Sequence, residues 1–143
     1  MRLAAPTDQE QLTSAAPLEP LERSWAVLLR TRKRAGDWVG TPVNLAVAGE
    51  RAYFGTPADS WKVRRLRNCA DVEVAPSTLR GRPTGPAVRA RARVLSGDEA
   101  RSAERLLVRR HPIVHRFIVP LELRVKRTTN AVYELTGFRP LEE

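Results

Sequence analysis

Cysteine is almost absent from this chain: Cys69 stands alone in 143 residues and has no internal partner to bridge. No early stretch joins a basic start to a continuous apolar run, so the sequence predicts a protein of the reducing cytoplasm, not a disulfide-stapled secreted scaffold. Long apolar runs are missing as well. None approaches the roughly 20 residues that a membrane helix needs, which predicts a soluble chain with no membrane partner. Histidine is scarce: His111 and His115 are the only two, and no carboxylate or cysteine stands close to them in sequence. With no Ser/His/Asp or Cys/His constellation, no catalytic side chain is expected. Their spacing of four would suit two metal ligands, but no Glu lies between them and no third ligand is apparent. No metal site is therefore expected, and both read as surface or subunit-contact histidines.

Acidic residues are also in deficit, 16 against 25 Lys and Arg, which leaves a net charge of +9. Such a molecule attracts anions, whether nucleic acid, a phosphorylated cofactor or an acidic substrate. Charge alone does not choose among them, and arginines on solvated faces account for the excess equally well. Aromatic residues make up only 6% of the chain. Together with the lack of a ribonucleoprotein sheet motif or a helix-turn-helix signature, that makes nucleic acid an unlikely partner.

What is present fits one domain. Residues 1–20 carry Pro6, Pro17 and Pro20 without a sustained period and read as a flexible arm with one short helical turn. Residues 21–143 form the expected folded unit. Trp25 to Leu29 is a short apolar run flanked by charge, a buried first strand. After a basic turn over Arg32 to Asp37, Val39, Thr41, Val43, Leu45 and Val47 alternate with smaller or polar residues as a second strand, with an edge or bulge near Pro42. Gly49-Glu50 is a two-residue hairpin of the II′ kind into a third strand, Arg51 to Phe54. Thr56, Pro57 and Asp59 have the order of an N-cap, a first-turn proline and an early acid, opening a helix with Trp61, Lys62, Arg65 and Leu66 that stops near Asn68.

Val72 to Pro76 alternates as a fourth strand, and Arg80 to Pro86 is a loop. Val88 to Val94 is a fifth strand, with one face small and apolar and the other carrying Arg89, Arg91 and Arg93. Ser96 and Glu99 have the spacing of a capping box for a helix running to about Arg110, where Pro112 interrupts. A second helical piece spans about Ile113 to Leu123, and Ala131 to Phe138 makes the last strand. Six strands with short links and no regular helix alternation predict a mainly β, antiparallel barrel with flanking helices.

This order resembles the pyridoxamine 5′-phosphate oxidase-like split-barrel family, also called the FMN-binding split barrels. The resemblance rests on Gly40-Thr41-Pro42-Val43, Thr56-Pro57-Ala58-Asp59-Ser60-Trp61-Lys62, Arg65-Leu66, Val72-Glu73-Val74-Ala75-Pro76 and Arg80-Gly81. It covers about Arg23 to Gly137, and it is narrower toward the branch of deazaflavin (coenzyme F420)-dependent reductases. It implies a six-stranded split β-barrel in a homodimer, with two cofactor sites at the subunit interface and a hydride passed to or from an organic substrate. Under that resemblance Thr41, Pro42, Val43 and Asn44 lie by the cofactor ring, with Phe54 close to it. Thr56, Ser60, Lys62 and Arg65 grip the phosphate. A helix N-terminus with hydroxyls and cations suits that task, and Lys62 and Arg65 share a helix face.

Arg89 and its strand neighbours either reach the cofactor's anionic tail or form a solvated face paired with acids. Arg30, Arg32, Lys33 and Arg34 pose the same choice. Trp61 stands where the family's FMN oxidases usually carry a second basic residue, which moves the expectation from FMN toward F420. It would cover a ring or a subunit contact instead. Gly137-Phe138-Arg139-Pro140 lacks the Arg-and-His arrangement of a true pyridoxamine phosphate oxidase, so vitamin B6 oxidation is disfavoured. The alternatives are an FMN-dependent enzyme of the same family and a barrel that binds a cofactor or nucleic acid without turnover. The other large aromatics, Trp25, Trp38, Tyr53 and Tyr133, read as core or interface, and Cys69 as an inert buried thiol.

Overall fold

In the structure, a computed structural model that describes residues 16–141, the chain folds around one curled antiparallel sheet that forms a half-barrel. Residues 1–15, most of the expected arm, lie outside the described part. In chain order the elements are α1 (Glu19–Arg23), β1 (Ala26–Arg32), β2 (Trp38–Val43), β3 (Ala46–Ala48), β4 (Arg51–Pro57), α2 (Trp61–Asn68), β5 (Asp71–Ser77), β6 (Val88–Val94), α3 (Gly97–Arg110), a π-helical turn (Val114–Ile118), α4 (Val119–Lys126) and β7 (Asn130–Pro140). The strands lie in the order β2-β1-β5-β6-β7-β4-β3.

The strands number seven, not six, because the expected second strand divides. Asn44 turns its side-chain amide to the Trp25 carbonyl, 2.8 Å away, and Ala46 to Ala48 then pairs with β4 while β2 stays on β1. A side chain has taken the chain out of the ladder there. The hairpin that follows has the expected form: Gly49 has φ 64° and no positive φ occurs at Glu50, the pattern of a II′ turn. Pro42 does sit on an edge strand, where its missing N–H costs the sheet nothing.

The period of two separates the faces. On the concave face Val27, Leu29, Val72, Val74, Ala52, Phe54 and Leu135 are wholly buried, and α2 adds Val63 and Leu66. Each of the larger aliphatic side chains contributes roughly 2 kcal/mol by leaving water. On the opposite face α3 covers β4 and β7 with Leu95, Ala103 and Val132. The rest of that face is a charged ladder. Glu73 is buried beneath Arg30 and Arg89 at 3.4 and 3.9 Å, and Asp71 meets Arg91 at 3.3 Å. Buried Glu134 accepts from Arg51 and Arg93 at 3.0 and 3.1 Å.

Two expected caps are corrected. Thr56 remains in the ladder opposite Ala131, so the N-cap of α2 is Ser60, whose Oγ accepts from the Val63 N–H at 3.4 Å. Ser96 is the N-cap of α3 as expected, but it makes no side-chain cap bond. Glu99 faces Arg93 instead, at 3.1 and 3.2 Å. Farther on, the Val119 N–H reaches back to the Val114 carbonyl, five residues away. Pro120 explains the local widening, since it cannot donate to the carbonyl four residues before it.

Candidate functional site

The β1–β2 hairpin turn and α2 are far apart in sequence but adjacent in space, and between them lies a groove of about 710 Å³ lined by Lys33, Arg34, Trp61, Arg64, Arg65, Arg67 and Asn68. The turn closes through the Lys33 N–H to the Asp37 carbonyl at 2.8 Å, with Gly36 at φ 105°. That conformation favours glycine and aims Lys33 and Arg34 toward the helix. A smaller cavity of about 440 Å³ adjoins it, lined by Arg32, Lys33, Arg34, Gly36, Asn68 and Cys69. Among the described residues no carboxylate lines either space.

Arg65 is held in place. Its Nε donates to Thr31 Oγ1 at 2.6 Å, and Thr31 is wholly buried on β1. Trp61 is 68% exposed, with the Arg64 guanidinium stacked over its ring at 4.7 Å. An exposed indole between cations offers a flat apolar surface beside positive charge, the chemistry that receives an aromatic ring carrying an anionic group.

Of the residues singled out from sequence, Trp61 and Arg65 line this groove, as do Lys33 and Arg34. Arg64, Arg67 and Asn68 also line it, although their signal, a helix strongly basic along its whole length, was visible. Lys62 is half-buried on the flank toward α4. Burial and the nearby Arg65 hold its ammonium below the ordinary lysine range, with Lys126 adding to the effect and Glu122 opposing it. Thr56 and Ser60 form a hydroxyl pair at 3.1 Å at the start of α2.

The other expected residues stand elsewhere. Pro42 and Asn44 lie along the β2 edge, Asn44 engaged with Trp25, and Val43 packs on the core. Thr41 faces the concave side opposite Leu29, and its buried Oγ1 has no partner among the described residues. Phe54 is wholly buried and stacked on Tyr133 at 5.2 Å, so it presents no surface to the groove. Arg89 sits on the opposite face of the sheet, near Glu73.

His111 is not at the surface, and His115 is half-buried. His111 is 2% exposed, its Nε2 2.9 Å from the Leu45 carbonyl, and Trp25 meets its ring edge-on at 5.8 Å. Burial lowers the pKa of His111 and takes that of His115 down to about 4, so both are neutral near pH 7. Among the described residues no cluster of three or more metal-ligating side chains occurs. Cys69 is half-buried at the C-cap of α2, not sealed in the core. No helix among the described residues is long and apolar enough to cross a membrane.

No protein-family model matches the chain, and no curated protein does either. Solved structures do. An F420 reductase superposes with a TM-score of 0.54 at 17% identity, over 89% of this chain and 97% of that one. A Listeria innocua protein assigned as a pyridoxamine 5′-phosphate oxidase gives 0.60 at 14% identity, over 88% and 95%. HutZ, the haem storage protein of Vibrio cholerae, gives 0.60 at 12%, over 87% of each chain. The curled seven-stranded sheet therefore has the fold of the pyridoxamine 5′-phosphate oxidase-like split barrels, a fold shared by F420 reductases and haem-binding proteins.

Proposed function

We propose that this chain is an oxidoreductase that holds the deazaflavin coenzyme F420, with FMN as the alternative, and passes a hydride between it and an organic substrate. The observation that carries this reading is the groove of about 710 Å³ whose lining, among the described residues, has five cationic side chains, one exposed tryptophan and no carboxylate. The donor set fits a phosphate-bearing ring cofactor. Arg34, Arg64 and Arg65 would hold the anionic groups, with Trp61 against the ring. Once bound, the coenzyme supplies the hydride chemistry, while the chain supplies orientation and positive charge. The names of two neighbouring solved structures, both F420 reductases, support the deazaflavin over FMN.

The working unit in this reading is a homodimer in the cytoplasm, with each groove completed at the subunit interface. In support, Ile113, Phe117, Ile118, Leu121 and Val125 are all more than half exposed along the π-helical turn and α4. A helix apolar on its outward as well as its inward side is usually one that a partner covers. Lys62, at the start of α2, feels Glu122 and Lys126 of α4 and so faces that surface.

Parallel titration of the purified protein with oxidised F420 and with FMN, followed by absorbance and fluorescence, tests the proposal. Saturable binding of one of them that weakens as salt rises is the expected outcome. Binding of neither overturns it.

A further inference from the structure

The concave face of the sheet is not filled to its end. Under α2, at the end of the core bounded by β6 and β7, a separate cavity of about 400 Å³ is lined by Ala58, Val63, Leu66, Ala92, Val94 and Ala131, with Arg67 and Tyr133. Its origin is legible in the residues. Three of the wall positions are alanine, so the sheet and the helix there have no bulk to interlock, whereas on β1 and β5 Leu29 and Val72 close the same layer completely. Val94, the cross-strand partner of Tyr133, is 59% exposed and marks the mouth.

Tyr133 is only 5% exposed, and its ring is fixed on Phe54. Its hydroxyl has no hydrogen-bond partner among the described residues, and it is not sealed in as the Thr41 hydroxyl is. A phenol inside a core usually finds its partner within the fold, whereas this hydroxyl opens onto the cavity. Burial pushes this phenol's pKa upward against the opposing charge of the neighbouring Arg67, so it stays protonated and acts as a donor. The cavity thus has apolar walls and two converging donors, a neutral hydroxyl and a guanidinium, with no acid among its lining residues.

We propose that this cavity is a binding site for a small apolar carboxylic acid, an aromatic or branched body of up to about two rings whose carboxylate is held by Tyr133 and Arg67. A cavity of about 400 Å³ is within the usual range for small-molecule sites, and apolar walls with a few convergent polar groups are their usual make-up. The carboxylate accepts from both donors, and the alanine walls take the ring. The site does not depend on the cofactor groove: the two spaces lie on opposite flanks of α2 and share only Arg67.

Naphthalene-2-carboxylate is a suitable probe, titrated calorimetrically into the full chain as purified. The expected result is saturable binding of one molecule per chain. Tyr133→Phe, which keeps the ring and its stacking, weakens binding by about tenfold, the usual worth of a hydrogen bond to a charged group. Ala131→Leu, which fills the cavity, abolishes it. Ala92→Leu provides the same steric test from the neighbouring strand should Ala131→Leu lose its cooperative melt. Absence of saturable binding overturns the proposal, as does unchanged affinity in Tyr133→Phe and in the leucine variant that folds. Arg65→Ala separates this site from the groove: it leaves naphthalene-2-carboxylate affinity unchanged, and a parallel loss of both affinities overturns the assignment to this cavity.

Discussion

Two regions of this molecule are rich in arginine, and they differ in what the arginines face. On the convex face of the sheet Arg30, Arg51, Arg89, Arg91 and Arg93 all meet carboxylates, and two of those, Glu73 and Glu134, are buried beneath them. Around α2 and the β1–β2 turn Lys33, Arg34, Arg64, Arg65 and Arg67 line a groove that no carboxylate of the described residues reaches. Each region carries five cationic side chains. The lesson is that a count of cations does not locate an anion site; the absence of counter-charge in a concave place does.

The contrast can be broken most forcefully at the groove. Replacing Arg34 and Arg65 together by alanine should lower affinity for the bound cofactor, F420 or FMN, by about 100-fold, from two lost charge-assisted hydrogen bonds. Titration of the double variant checks it, and a retained affinity would move the anion site away from α2. The ladder should respond in the opposite sense. Glu134→Ala removes a buried acceptor shared by two guanidiniums and should cost about 2 kcal/mol of stability, read as a lower urea midpoint, with cofactor affinity unchanged. The smallest effect belongs to Arg89→Ala. Its contact with Glu73 is long, at 3.9 Å, and its side chain is about half exposed. A change within about 0.5 kcal/mol in stability and none in affinity is expected; a clear loss of cofactor affinity would instead bring the convex face into the site.

Much of the fold could be read from local chemistry. The II′ turn at Gly49, the end of α2 at Asn68 and the alternation of Val88 to Val94 depend on neighbouring residues alone, and the structure keeps them. Failures occurred where a distant partner outbid a local rule. Thr56 has the chemistry of an N-cap, but its backbone is committed to Ala131 on β7, so the helix waits until Ser60. Glu99 has the spacing of a capping box, but Arg93 across the turn binds it better. His111 reads as a surface residue until Leu45, 66 positions earlier, brings a carbonyl to its ring. The site followed the same pattern. Basic runs were visible at Arg32 to Arg34 and along α2, whereas their meeting across one groove depends on how β1 and β2 turn, which no local period encodes.

The division of the second strand has a consequence for how the sheet is protected. The two outermost strands, β2 and β3, are separated in the chain only by Asn44 and Leu45. The seam of the half-barrel is therefore bridged by covalent bonds where a closed barrel would use a ladder. One lip of that seam carries Pro42, which has no N–H to offer, and the other is a strand of three residues. A foreign strand seeking to extend the sheet finds little to zip onto at either lip, so the opening that makes the barrel incomplete is also poorly suited to recruiting stray chains.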